Sequence, residues 1–170
     1  MQLTIKLSSG ELALARADLA VPHAFAFERV GFLLARPSWM TPDAIDLVVT
    51  TYLRVDDEDY VPDESVGASI GSSAMRKALQ EAYKAKASLL HVHVHSGRGR
   101  PRFSGVDLAS SKTFVPGFFN VLPDLPHGVL VLSDDSAAGL VWTAQRGRPH
   151  PVTSFVQPSG PYRVYGQQHG

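Results

Sequence analysis

Residues 89–107, LLHVHVHSGRGRPRFSGVD, constrain this chain more than any other stretch. Apolar residues alternate there with His91, His93 and His95, the period of a β-strand, so the three imidazoles share one face with neighbours ~6.5–7 Å apart. A loop rich in glycine and arginine follows. SGVD then reads as the first turn of a helix, with Ser104 at the N-cap and Asp107 at the third helical position. Two imidazoles on one face of a rigid strand make half of a metal site, and a carboxylate delivered by that helix supplies a third ligand.

Each residue also has a plainer role. A His-x-His pair can pack or hydrogen-bond on a half-buried face, Ser104 is a favoured helix cap, and Asp107 in the first turn complements the helix dipole. The capping roles are compatible with a metal site.

The order of these elements resembles the JAMM signature of the JAB1/MPN/Mov34 metalloenzyme family: His-x-His, a short loop, Ser-x-x-Asp, and a glutamate far upstream, before a Gly-x-Leu-Leu strand. Here these are His93-Val94-His95, the loop Ser96 to Phe103, Ser104-Gly105-Val106-Asp107, and Glu28 ahead of Gly31-Phe32-Leu33-Leu34. Ser96 stands where the family usually has proline, and the loop is slightly long. The resemblance implies a single-domain α/β/α layered MPN-like fold with a mixed central sheet. It implies one catalytic Zn2+ on His93, His95 and Asp107, with Glu28 as general base and Ser104 as oxyanion donor. The implied activity is that of a zinc metalloprotease, a deubiquitinase-like peptidase or isopeptidase cleaving after the C-terminal glycine of a ubiquitin-like protein. A bare domain looks most like the stand-alone prokaryotic members. His91 matches no ligand position and reads as a packed or supporting histidine; ligation by His91 and His93 instead would lengthen the loop. Glu64 is the alternative base.

At 170 residues the chain fits one domain, taken as 1–157 with a flexible tail over 158–170. It has no cysteine, so a zinc site must use nitrogen and oxygen ligands. Formal net charge is zero, with 16 basic and 16 acidic residues, which leaves no overall field to draw the molecule to nucleic acid or an acidic membrane. No apolar run approaches the ~20 residues of a membrane span, and the alternating start MQLTIKL lacks a secretory signal. A cytoplasmic protein is expected.

Along the chain, residues 2–7 alternate as an opening strand, Ser8-Ser9-Gly10 reads as a turn, and a short element runs to Ala20. Gly31 to Ala35, bounded by Arg36-Pro37, suits a buried central strand, and Ile45 to Val55 a β-branched one. The acidic residues 56–59 and 63–64 read as a solvated loop. Met75, Ala78, Leu79, Ala82 and Tyr83 predict the apolar face of a helix capped by Ser72 or Ser73 and ending near Lys86. A second helix from Ser104 ends at Pro116-Gly117, GVLVLS and GLVWTA form a hairpin, and Val152 to Val156 a last strand.

Two other function classes fit parts of the chain. Arg-Gly-Arg-Pro at Arg98–Pro101 and Arg146–Pro149 resembles the AT-hook core that enters an A·T minor groove. A non-catalytic MPN scaffold that binds protein partners is the other.

Overall fold

The chain is described by a computed structural model over residues 1–22, 26–63 and 66–158; Glu64 and tail residues 159–170 lie outside the described residues. Alternation along the histidine strand, β4 (Ser88–Val94), sends Leu90 and Val92 to one side of a sheet and Leu89, with His91 and His93, to the other. Its neighbour β2 (Val30–Met40) does the same, with Leu33 and Ala35 on the first side and Val30, Phe32 and Leu34 on the second.

Helices cover both sides. α1 (Ser9–Leu19) sets Ala15 and Leu19 on the first core. On the opposite core α2 (Ser72–Ala85) sets Ala74, Ala78 and Ala82, and α3 (Gly105–Phe118) sets Val115 and Phe118. The fold is mixed α/β: three α-helices among the described residues, layered on the two faces of one eight-stranded sheet.

The remaining strands are β1 (Gln2–Lys6), β3 (Ala44–Arg54), β5 (His127–Leu132), β6 (Ala137–Trp142), β7 (His150–Pro151) and β8 (Ser154–Val156). Their order is β7-β6-β5-β4-β2-β3-β1-β8. β1 runs parallel to β3 and β8, and β4 to β5, while the other pairs are antiparallel. The parallel pair β4 and β5 needs a long crossover, and the loop plus α3 provide it.

Several local expectations need correcting. Ser8 begins no turn: its hydroxyl accepts from Glu11 N–H at 3.2 Å and caps α1. β2 does not stop at Pro37 but continues to Met40; beyond Ala35 its only neighbour is β3, so a missing N–H is tolerated there. Gly71, not a serine, is the N-cap of α2, and Tyr83 lies outside the buried face. α3 carries Pro116 within its last turn and ends at Phe118. The last strand begins at Ser154, because Val152 bonds instead to Gly139 O at 2.9 Å. Among the described residues no helix is long and apolar enough to cross a membrane.

The acidic run is more than a solvated loop. Asp57–Asp59 forms a 3-10 turn in which buried Asp59 takes a 2.7 Å hydrogen bond from Lys77 Nζ. Lys77 holds the Asp59 carboxyl below the ordinary carboxylate range, against the opposing effect of burial. A carboxyl depressed on folding stabilises the fold above its unfolded pKa of ~3.9 and loses that contribution as pH falls through the lower folded value. Lys77→Met should therefore lower the urea midpoint at pH 7, with the gap to wild type narrowing as the pH falls below ~3.9; a gap that stays constant with pH would assign the loss to something other than Asp59.

Candidate metal centre

Glu28 reaches the histidine strand through backbone register. β2 and β4 are antiparallel with Val30 opposite His93, so the same register carried two residues on sets Glu28 against His95. The segment is held there by two hydrogen bonds into one acceptor, as Phe27 N–H and Glu28 N–H both donate to Gly67 O, at 2.9 and 3.0 Å. Arg29 turns the other way and is 5% exposed. Its Nε donates to Val21 O at 2.9 Å and its guanidinium lies 2.8 Å from Asp57, so it does not neutralise Glu28. A Cβ at Gly67 would lie 2.7 Å from Glu28 Oε2, so only glycine leaves room for the carboxylate where it rests.

From the same end of β4, the loop delivers Asp107. Three hydrogen bonds pin it to the β5–β6 turn: Asp134 N–H donates to Gly97 O at 2.9 Å, Gly99 N–H to Asp135 Oδ1 at 2.7 Å, and Ser133 Oγ to Gly99 O at 2.7 Å. Gly99 has φ 84°, a left-handed conformation that favours glycine. The loop then enters α3 through a capping box. Asp107 N–H donates to Ser104 Oγ at 3.1 Å, and Ser104 N–H donates to Asp107 Oδ2 at 2.7 Å. The cap fixes the carboxylate as firmly as it fixes the helix.

These elements bring donor atoms together. His93 Nε2 and His95 Nε2 are 3.1 Å apart, Asp107 Oδ1 is 3.4 Å from His93 Nε2, and Asp107 Oδ2 is 3.5 Å from His95 Nε2. Four donors set tetrahedrally ~2.0–2.1 Å from a zinc ion are ~3.3–3.4 Å from one another; each of these spacings lies near that range, the two to Asp107 running to different oxygens of its carboxylate. Glu28 Oε1 stands 4.0 Å from His95 Nε2, and Glu28, His93 and His95 offer donor atoms within 4.8 Å of one another, a group that could hold a metal ion.

Burial works against the charge on Asp107. The hydrogen bonds from His93 and from Ser104 N–H outweigh it and hold the carboxyl well below the ordinary range, so the carboxylate is ionised at neutral pH.

The histidines differ in kind. His127 is fully engaged by backbone, accepting from Leu89 N–H at Nδ1 and facing Leu122 O with Nε2, as a structural imidazole should be. His93 is buried, yet its Nδ1 has no hydrogen-bond partner among the described residues. Only its Nε2, turned into the cluster, meets polar partners. His91 packs between Phe32 and Phe114, at ring distances of 5.5 and 5.1 Å. Burial, with a smaller push from His93, drives its pKa down to about 3, so it is neutral and packed.

Glu28, His93, His95, Ser104 and Asp107 all lie in this one cluster. The sequence reading missed Gly67, Phe27 and the Ser133–Asp135 pins. Gly67 lies far along the chain from Glu28 in an unpatterned segment, and nothing in the local sequence marks it. Phe27, 80% exposed beside Glu28, had a readable signal, an aromatic residue next to a candidate base.

No protein-family model matches the chain, and no curated protein matches it. Among solved structures, the chain is similar to the Trichoplax adhaerens STIL N-terminal domain, with 12% sequence identity and a TM-score of 0.39. The similarity covers 82% of this chain and 40% of that one, so this chain spans less than half of that domain.

Zinc titration followed by calorimetry separates the possible ligand sets. Wild type should bind one ion per chain, and His93→Ala and Asp107→Ala should each weaken binding at least about 100-fold while Glu28→Gln retains it. Retention by Asp107→Ala together with loss in Glu28→Gln would make Glu28, His93 and His95 the ligands.

Proposed function

We propose that this chain is a zinc-dependent amide hydrolase with an MPN-like fold, a peptidase or isopeptidase whose metal is held by His93, His95 and Asp107. The observation that carries the reading is the set of 3.1, 3.4 and 3.5 Å spacings among the three residues' donor atoms. Buried His93 turns its Nε2 into the cluster, which supports the reading, while its Nδ1 has no partner among the described residues where a ligating imidazole usually has one. His93, His95 and Asp107 would hold the ion with two imidazoles and one carboxylate, the donor set of a catalytic rather than a structural zinc. Zinc in such a site supplies Lewis acidity and brings the acidity of water into the neutral range.

The chain's own residues supply the rest. Glu28, opposite His95 and unpaired with Arg29, takes a proton from the attacking water and returns it to the leaving amine. Addition of the water forms the C–O bond and a tetrahedral species, whose collapse breaks the C–N bond as the amine takes the proton, giving a carboxylic acid and an amine. Ser104 accepts from Asp107 N–H through Oγ, and its own O–H, which also faces the Asp107 carboxylate, would turn to donate to the oxyanion of the tetrahedral state. The substrate implied by the resemblance, an acyl chain ending in glycine from a ubiquitin-like protein, would lie in the depression that Ser104, Phe27 and His95 line with Glu28.

The test is cleavage of a ubiquitin-like protein fused through its C-terminal Gly-Gly to a reporter. Glu28→Gln should lower kcat by about 10²–10⁴ with zinc still bound. Gly67→Ala should displace the Glu28 carboxylate and lower kcat at least about tenfold while zinc content and thermal midpoint stay at wild-type values. Wild type that binds zinc but cuts nothing, or a Glu28→Gln variant that cuts normally, would overturn the mechanism; a chain with neither zinc nor cleavage is a scaffold.

A further inference from the structure

A second cavity opens from the donor cluster on its inner side. Its volume is about 320 Å³, and Val30, Ile70, Met75, Phe103, Phe114 and Val129 line it together with Glu28, His93 and Asp107. Val30 and Val129 belong to the core beneath α2 and α3, whereas the Glu28 side chain is 34% exposed, so the cavity runs from the open edge of the cluster into the protein. The outer depression shares Glu28, Val66, Gly67, Val106 and Asp107 with it, but Ser104 and His95 line only the outer one. The cluster is therefore the wall between two spaces of different character.

We infer that the inner cavity receives an apolar side chain of the residue on the amine side of the cleaved bond, so that the preferred substrate is a linear peptide with a branched or aromatic residue directly after the cut. This rests on the hydrolase reading. If Ser104 donates to the oxyanion, the carbonyl and the chain leading to it lie in the outer depression, and the leaving residue is the one directed past Glu28 toward the inner cavity. Size agrees, since a cavity of about 150 Å³ lined by apolar side chains already holds benzene. So does chemistry: the six apolar residues come from β2, β5, α2, α3 and two loops, and with Asp63, His91 and Ser110 beside them they line a space that a glycine, or the thin stem of a lysine, would leave largely unfilled.

The energy of burying such a side chain corresponds to a preference of roughly 10–100-fold in kcat/KM for leucine over glycine after the cut. Cleavage of Gly-Gly-Leu against Gly-Gly-Gly peptides by the zinc-loaded chain measures it. Ser110→Phe, on the exposed side of α3 where it borders the cavity, should erase the preference while the neighbouring control Ala109→Phe keeps it. A binding readout needs no activity: L-leucinamide added to the zinc-free full chain should shift the methyl resonances of Ile70, Met75 and Val129 saturably, and glycinamide should not. Ser110→Phe should abolish those shifts with its thermal midpoint unchanged. Cleavage without side-chain preference, or no methyl shifts with leucinamide, would overturn the cavity's role and leave the hydrolase standing. Leucinamide binding in a zinc-loaded chain that cuts no peptide would overturn the hydrolase and keep the cavity as a site for small apolar amines.

Discussion

Everything at the donor cluster depends on the antiparallel pairing of β2 with β4. Val30 opposite His93 is one rung of a ladder that also pairs Phe32 with His91, and it decides which face Glu28 can reach. A slip of one residue would turn Val30, Phe32 and Leu34 out of the core beneath α2 and α3 and put Leu33 in their place. Core packing on both sides of the sheet therefore enforces the placement of a polar residue just beyond the paired strands. The energy that fixes Glu28 against His95 comes from apolar burial, not from anything the carboxylate does for itself.

Asp107 is placed by a different economy. The capping box would form in any helix that began this way, and its local contribution is about 1 kcal/mol. Here the loop before it is tied at three points to the β5–β6 turn, so the start of the helix is fixed relative to β4 as well as closed on itself. A residue that satisfies its own helix thus becomes a third donor without a separate structural cost. His93 shows the converse: among the described residues its buried Nδ1 has no partner, against the rule that buried polar atoms are paired, and local violations of that kind are where function is expected.

The donor residues were legible because strand period and helix capping are short-range rules. His93 and His95 could be assigned to one face from alternation, and Ser104 with Asp107 to one cap from their spacing. Glu28 was legible only by resemblance, since its position depends on pairing between strands far apart in the chain. Gly67 and the pins at Ser133 to Asp135 were not legible, because each acts on a distant segment. The same limit explains the errors in the elements. Ser8 looked like a turn because Gly10 follows it, while the helix it caps is held by packing of Ala15 and Leu19. Pro37 looked like a strand end because the sequence cannot show that β4 has already stopped beside it. Asp59 looked like solvent-facing charge until α2 brought Lys77 to it.

The sheet closes on very little at either border. β7 has two residues and β8 three, while β2 and β4, the strands that carry the donor cluster, lie in the interior of the strand order. Little backbone is left there for an incoming chain to zip onto, so recruitment by strand addition, and the templated aggregation that accompanies long open borders, is blunted. Whatever docks beside His95 must be grasped by side chains and depressions rather than lengthen the ladder, which makes the shape of those depressions, more than main-chain complementarity, the arbiter of what is admitted.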